Sequence, residues 1–178
     1  MGMTTIFIIG SRSDRALENL IRAGLSRTYT VTYIRGSEFS VQGSGYELVC
    51  FDSDAPVITG AANSIVVAKK DSPLPDALPP DCTAIFSAED ERQLAAVRKN
   101  GVFAVDCGFS PRSTVSFSGS SDSTLVISLN RSLTALSGRS IQPLELPVSR
   151  QADPYSLMSF TALRLLLDDF DSDLGYLM

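Results

Sequence analysis
Apolar residues along this chain fall into short clusters, each broken by Gly, Ser, Asp or Pro. Thr5–Ile9 is an isoleucine-rich run that suits a strand covered on both faces. It ends in Gly10 and a short polar stretch. After that, Ala16, Leu17, Leu20, Ile21 and Leu25 share one helical face, with Ser13 as the expected cap. "YTVTYI" (Tyr29–Ile34) has the β-branched and aromatic content of a second strand. Gly36–Gly45 reads as a loop rich in Ser and Gly, and "YELVCFD" and "NSIVVAKK" follow as the third and fourth strands. Asp71–Asp81 holds four prolines in eleven residues, a composition that makes a connector.

The next segment carries the clearest pattern. "CTAIFS" is a strand, and Ser87 then begins a Ser-x-x-acid capping signal completed by Asp90. Leu94, Ala95 and Val97 lie inside the helix that follows, Gly101 stops it, and "VFAVDCG" is the next strand. Strand, helix and strand at this spacing predict a parallel crossover unit. Beyond Gly108, "STVSFSGSSDSTLVISLN" alternates apolar and polar residues about a turn, as an antiparallel hairpin does. "IQPLELPV" reads as an edge strand because its prolines bar a central place. Asp153–Pro154 is a helix start, and "YSLMSFTALRLLLDDF" is apolar nearly all round, which should bury Leu157, Phe160 and Leu165. The expectation is one α/β domain over residues 1–178. A mostly parallel, doubly wound (Rossmann/P-loop-like) sheet occupies 1–108, and an antiparallel extension with a closing helix occupies 109–178.

Composition narrows the function. The formal charge is −5, the pI is about 4.7, and the 15 basic residues are scattered, against the clustered Lys and Arg of a nucleic-acid site. No apolar run nears the roughly 18 residues of a membrane span, and no basic start with an apolar stretch marks a signal peptide. Cys50, Cys82 and Cys107 are an odd set lying in or beside apolar runs, which reads as buried free thiols in a reducing cytoplasm. The expectation is therefore a soluble cytoplasmic protein with neither a nucleic-acid nor a membrane partner. Its protein or small-molecule partner and its oligomeric state are left open.

The strand-to-helix junction after Thr5–Ile9 is where phosphate loops sit, because free N–H groups of the helix start point into it. A working loop reads G-x-x-x-x-G-K-[ST], with Lys on the terminal phosphates and the hydroxyl on magnesium. From Gly10 this chain reads "GSRSDRAL": Arg15, Ala16 and Leu17 stand at the Gly, Lys and hydroxyl positions, and Asp14 adds a repelling charge. Gly10, Ser11, Arg12 and Ser13 remain candidates for a modified anion site, with a plain structural turn as the leading reading. Asp52 and Asp54 end a strand in the manner of a magnesium-binding acid, though without a phosphate loop ordinary strand-end acids facing solvent are the leading reading. Asp106 and Arg112 flank another strand end, where open α/β sheets bind ligands. The chain has no histidine, so the commonest general base and metal ligand is missing, and no cysteine pair has zinc spacing. Cys107 accordingly reads as inert, and neither a metal nor a cofactor is expected.

The order of these pieces resembles the central ATP-binding domain of the Mur ligases, the peptide-adding enzymes of cell-wall synthesis. "IIGSRSDRA" stands where that family has a strand and a T-G-T-x-G-K-T-T loop, and "ELVCFD" matches its strand ending in an acid. "IFSAEDERQLAAVRKNGVFAVDCGFSPRSTVSF" is similar to its strand–acid–helix segment, Gly-ending strand and ribbon, and "DPYSLMSFTALRLLL" to its closing helix. The loop's glycine, lysine and threonines are absent, as is the family's Asn-Asp-His region. The chain is also too short for the flanking substrate and ligase domains. The resemblance thus implies a scaffold kept without the catalysis, acting as a binding or regulatory module. The alternative from another class is a small enzyme using Asp52, Asp54 and Asp106 with Arg112.

Overall fold
The computed structural model describes residues 3–54, 58 and 64–170. Its centre is a parallel stack: β1 (Thr4–Ile9) lies between β4 (Tyr46–Ser53) and β5 (Ile65–Ala68). Outward from β5 come β6 (Thr83–Ser87) and β7 (Phe103–Gly108), and outward from β4 comes β2 (Tyr29–Arg35), all parallel. The doubly wound core expected from the isoleucine- and valine-rich runs is therefore present. Antiparallel strands close both ends. β3 (Glu38–Gly43) pairs antiparallel with β2 on one side; on the other, β8 (Val115–Ser120) still runs parallel to β7, and β9 (Thr124–Leu129) and β12 (Leu144–Ser149) follow it by antiparallel pairing, giving a ten-stranded sheet. β10 (Leu133–Thr134) and β11 (Ser140–Ile141) form a separate small hairpin that the sequence pattern did not signal.

Period-2 alternation sorts the strands onto two faces. Ile6, Ile8, Val31, Tyr33, Leu48, Cys50, Ile65 and Val67 face α1 (Ala16–Leu25) and α3 (Pro154–Leu166). Val66, Ala68, Ala84 and Phe86 face the other way, against Val97 of α2 (Glu91–Asn100) and Leu74 and Leu78 of the proline-rich connector. α1 and α3 come close because Gly24 has no side chain: a Cβ there would lie 2.5 Å from the ring of Phe160. The connector is held by two side chains of α2. Asn100 Oδ1 accepts the Leu78 N–H, and the buried Gln93 donates to the carbonyls of Lys69 and Ser72 while accepting the Ser87 N–H.

Four local expectations are corrected. Gly36–Gly45 is largely strand, since Gly36 and Ser37 make a two-residue turn with Gly36 at φ +58°, and Phe39 and Val41 alternate with polar neighbours beyond it. Ser13 does not cap α1; its hydroxyl bonds that of Ser11, and the Asp14 carboxylate takes the Ala16 N–H. Ser87 is one turn too early to cap α2, whose Arg92 and Gln93 N–H groups bond Asp90. The last helix stops at Leu166 instead of running to Phe170. Asp168 turns left-handed (φ +57°), and the N–H groups of Asp168 and Asp169 reach back to Leu165 and Arg164, closing the helix end.

All three cysteines are free and buried. Burial pushes the Cys50 thiol up to about 12 and Cys82 up to about 11, and it raises Cys107 as well. Because the folded values are raised, the neutral thiols support the fold fully below about pH 9. That support is lost as pH climbs toward 11–12, at about 1.4 kcal/mol per pH unit for each thiol. Alkylation without reduction should therefore be slow on the native protein at pH 8 and should label three thiols after unfolding. Two missing labels would mean a bridge.

Candidate functional site
The sheet reverses its winding between β1 and β5, and open α/β sheets place ligands at such a switch point. Here the space is filled by the chain itself. Lys69 directly follows β5, and its Nζ donates to the carbonyls of Ser11 (2.9 Å) and Asp14 (2.8 Å) and to both carboxylate oxygens of Asp52 (2.9 Å each). The side chains of Lys69 and Asp52 are only 1% and 0% exposed, so this is a dry ion pair. Tyr33 adds a 2.8 Å bond from its hydroxyl to Asp52 Oδ2, and burial together with that carboxylate raises its pKa.

Local geometry follows from these contacts. Gly10 N–H bonds Ser53 O, and Lys69 N–H bonds Ile9 O, which ties the end of β1 to both neighbours. Gly10 sits at φ +146°, and a Cβ there would lie 2.7 Å from Lys69 Cβ and closer still to the Ser72 hydroxyl. Only glycine fits. A second buried cation, Arg35, donates to Arg12 O (3.2 Å) and pairs with Glu18 (3.2 Å) and Glu38 (2.6 Å). The loop thus turns three carbonyls, of Ser11, Arg12 and Asp14, toward internal cations. A phosphate loop does the reverse, turning N–H groups inward toward an anion. The Asp14 carboxylate at the start of α1 adds negative charge where an anion would sit.

The remaining sequence candidates are spread along the strand ends. Arg12 and Asp54 form an exposed 3.1 Å pair beside the loop, the kind worth about 0–1 kcal/mol. Arg15 reaches Glu38 at 3.5 Å. Asp106 receives the N–H and the hydroxyl of Thr114 and so pins the short link from β7 to β8. Arg112 is exposed, its N–H bonded to Ser110 Oγ. β1, β5 and β6 separate β4 from β7, so Asp52 and Asp106 stand about 19 Å apart at ~4.8 Å per strand. Asp52 meets a lysine and a tyrosine, not another carboxylate.

Beside the filled switch point lies an open cleft of about 380 Å³ at the ends of β5 to β7, lined by Lys70, Asp71, Ser87, Glu89, Arg92 and Phe109 among others. Two of its acids serve the fold: Glu89 accepts the Phe109 N–H and the Ser87 hydroxyl, and Asp90 is the α2 cap. Among the described residues, no cluster of three or more His, Cys, Asp or Glu side chains is arranged to hold a metal ion.

Sequence reasoning missed Lys69, Tyr33, Arg35 and Glu18. A signal for Lys69 and Arg35 was present. Val67 and Lys69, Cys50 and Asp52, and Tyr33 and Arg35 each sit two apart on strands whose inward positions are otherwise apolar, so three polar side chains converge on one face at the sheet's end.

No family model matches the chain, and no curated protein matches it by sequence. Solved structures do match, and the α/β fold of this chain is similar to that of a Mur ligase. One is the structure of UDP-N-acetylmuramoyl-L-alanyl-D-glutamate–2,6-diaminopimelate ligase, which superposes with a TM-score of 0.53 at 6% identity over 97% of this chain. The likeness is one of fold, and this chain spans 45% of that ligase's length. No described helix is long and apolar enough to cross a membrane.

Proposed function
We propose that this chain is a non-catalytic binding or regulatory module on a Mur-ligase-like scaffold, its former nucleotide site filled from within by Lys69. One observation carries the reading: the Lys69 ammonium occupies a cage of four oxygens drawn from the loop after β1 and from Asp52. In the family's pattern the loop grips phosphate and the strand-end acid handles magnesium. Here the acid is neutralised by a tethered cation and the loop carbonyls face that cation. Phosphoryl transfer depends on positioned positive charge and metal around the phosphates, and Ala16 and Leu17 supply neither. The start of α1 offers an exposed anion about 0.3–1 kcal/mol, against about 8 kcal/mol for micromolar affinity. The wide separation of Asp52 from Asp106 gives the alternative small enzyme no shared-proton carboxylate pair. The buried thiols fit a reducing cytoplasm, and the acidic pI fits a protein partner or small ligand and not a nucleic acid.

The test is calorimetric titration with ATP and magnesium beside a phosphate-release assay. We expect no binding at micromolar ATP and no turnover. Micromolar affinity, or turnover abolished by Asp52→Asn, would sink the proposal.

A further inference from the structure
The two edges of the ten-stranded sheet are built differently. β12 carries Pro147 and Glu145, devices that discourage a further strand from joining. β3, "EFSVQG", has neither a proline nor a lysine, and Phe39 and Val41 on it are 67% and 55% exposed. Its only charged residue, Glu38, is already matched by Arg35 and Arg15. A two-residue turn makes Arg35 and Glu38 a hydrogen-bonded pair, so Glu38, Ser40 and Gln42 spend their backbone groups on β2. Phe39 and Val41 then present their N–H and C=O groups outward, and no described strand pairs with them.

We propose that β3 pairs antiparallel with β3 of a second copy of this chain, making one continuous twenty-stranded sheet across a two-fold axis. The strand is self-complementary when the axis passes beside Ser40. Phe39 then faces Val41 of the other copy in both hydrogen-bonded pairs, Ser40 faces Ser40, and Glu38 faces Gln42, so no like charges are opposed. Aromatic–β-branched pairs of this kind favour association, and all four apolar side chains fall on one face. That face continues through the half-buried Ile34 to Phe51, which stacks on Phe7 with ring centroids 5.6 Å apart, while α1 and α3 cover the opposite face. A two-fold interface requires one patch to match itself, and this register does.

Sedimentation equilibrium across about 1–200 μM protein tests the pairing. We expect the mass to rise from 19.1 kDa toward twice that value. Val41→Pro removes an outward donor, and Phe39→Lys combined with Val41→Lys puts like charges in both opposed pairs. Each should return the mass to that of one chain while the melting temperature of dilute, monomeric protein stays near wild type. Ser40→Cys should cross-link two chains on mild oxidation, since non-hydrogen-bonded pairs bring the two Cα atoms within disulfide reach. A single-chain mass at every concentration overturns the proposal. So does a dimer that survives the paired lysine substitutions, or Ser40→Cys chains that fail to cross-link.

Discussion
Replacing Lys69 with methionine should destabilise the fold by about 3–5 kcal/mol, read from the midpoint of urea unfolding. Methionine keeps most of the side chain's length and packing, so the loss is that of the ammonium. Four oxygens then face one another without a cation: two loop carbonyls and the two oxygens of a fully buried carboxylate. The cost comes chiefly from leaving Asp52 unpaired, because a buried ion pair itself roughly breaks even against apolar groups of the same size. That distinction has a measurable consequence. Asp52→Asn added to Lys69→Met should recover part of the lost stability, so the double variant is more stable than the sum of the two single losses. Strict additivity, or a Lys69→Met variant within 1 kcal/mol of wild type, would remove the cage from the account of the loop.

The parallel core was legible because its signal is one-dimensional. Runs such as "TTIFII" and "SIVVA", short and rich in β-branched residues, read as strands buried on both faces, and "DP" before "YSLMSF" as a helix start. The strand β3 was not legible, because its Ser and Gly content resembles a loop until the Gly36–Ser37 turn is seen pairing Arg35 with Glu38. The helix starts misled for a related reason: Ser13, Asp14, Ser87 and Asp90 all have capping side chains. Only the chain's approach to the helix makes Asp90 the cap of α2 and leaves Arg15, without a side-chain cap bond, at the start of α1.

The loop after β1 was half legible. Which residues it lacked could be counted along the chain, but what replaced them could not. Lys69 is 55 residues from Asp14 and 17 from Asp52, and these distances in sequence collapse only when β5 and β4 take places on either side of β1. Asp52 accordingly reads in isolation as an ordinary solvent-facing strand-end acid, with a magnesium ligand as the lesser reading, and in the sheet it is half of a buried ion pair. Asp54 pairs with Arg12 beside the end of β4, while Asp106 holds Thr114 beside β7 with Arg112 exposed in the link that follows, so nothing gathers the three.

Leu165→Asp should abolish cooperative folding at 25 °C. α3 is buried over almost its whole circumference; of its thirteen residues only Pro154 and Arg164 are not buried, and Leu165 is 0% exposed. Truncation to alanine at such a site costs about 2–5 kcal/mol through lost burial and the cavity left behind. Aspartate adds the burial of a carboxyl group, a further penalty of several kcal/mol whether the group stays charged or takes up a proton. The sum rivals the 5–15 kcal/mol stability of an ordinary domain. The damage also reaches several elements, because α3 packs against α1 on one side and against β6 to β9 on the other. Leu165→Ala should melt cooperatively at a lowered temperature. Leu165→Asp should lose its near-ultraviolet circular dichroism before heating begins. A Leu165→Asp protein that melts within a few degrees of wild type would mean that α3 does not close the core.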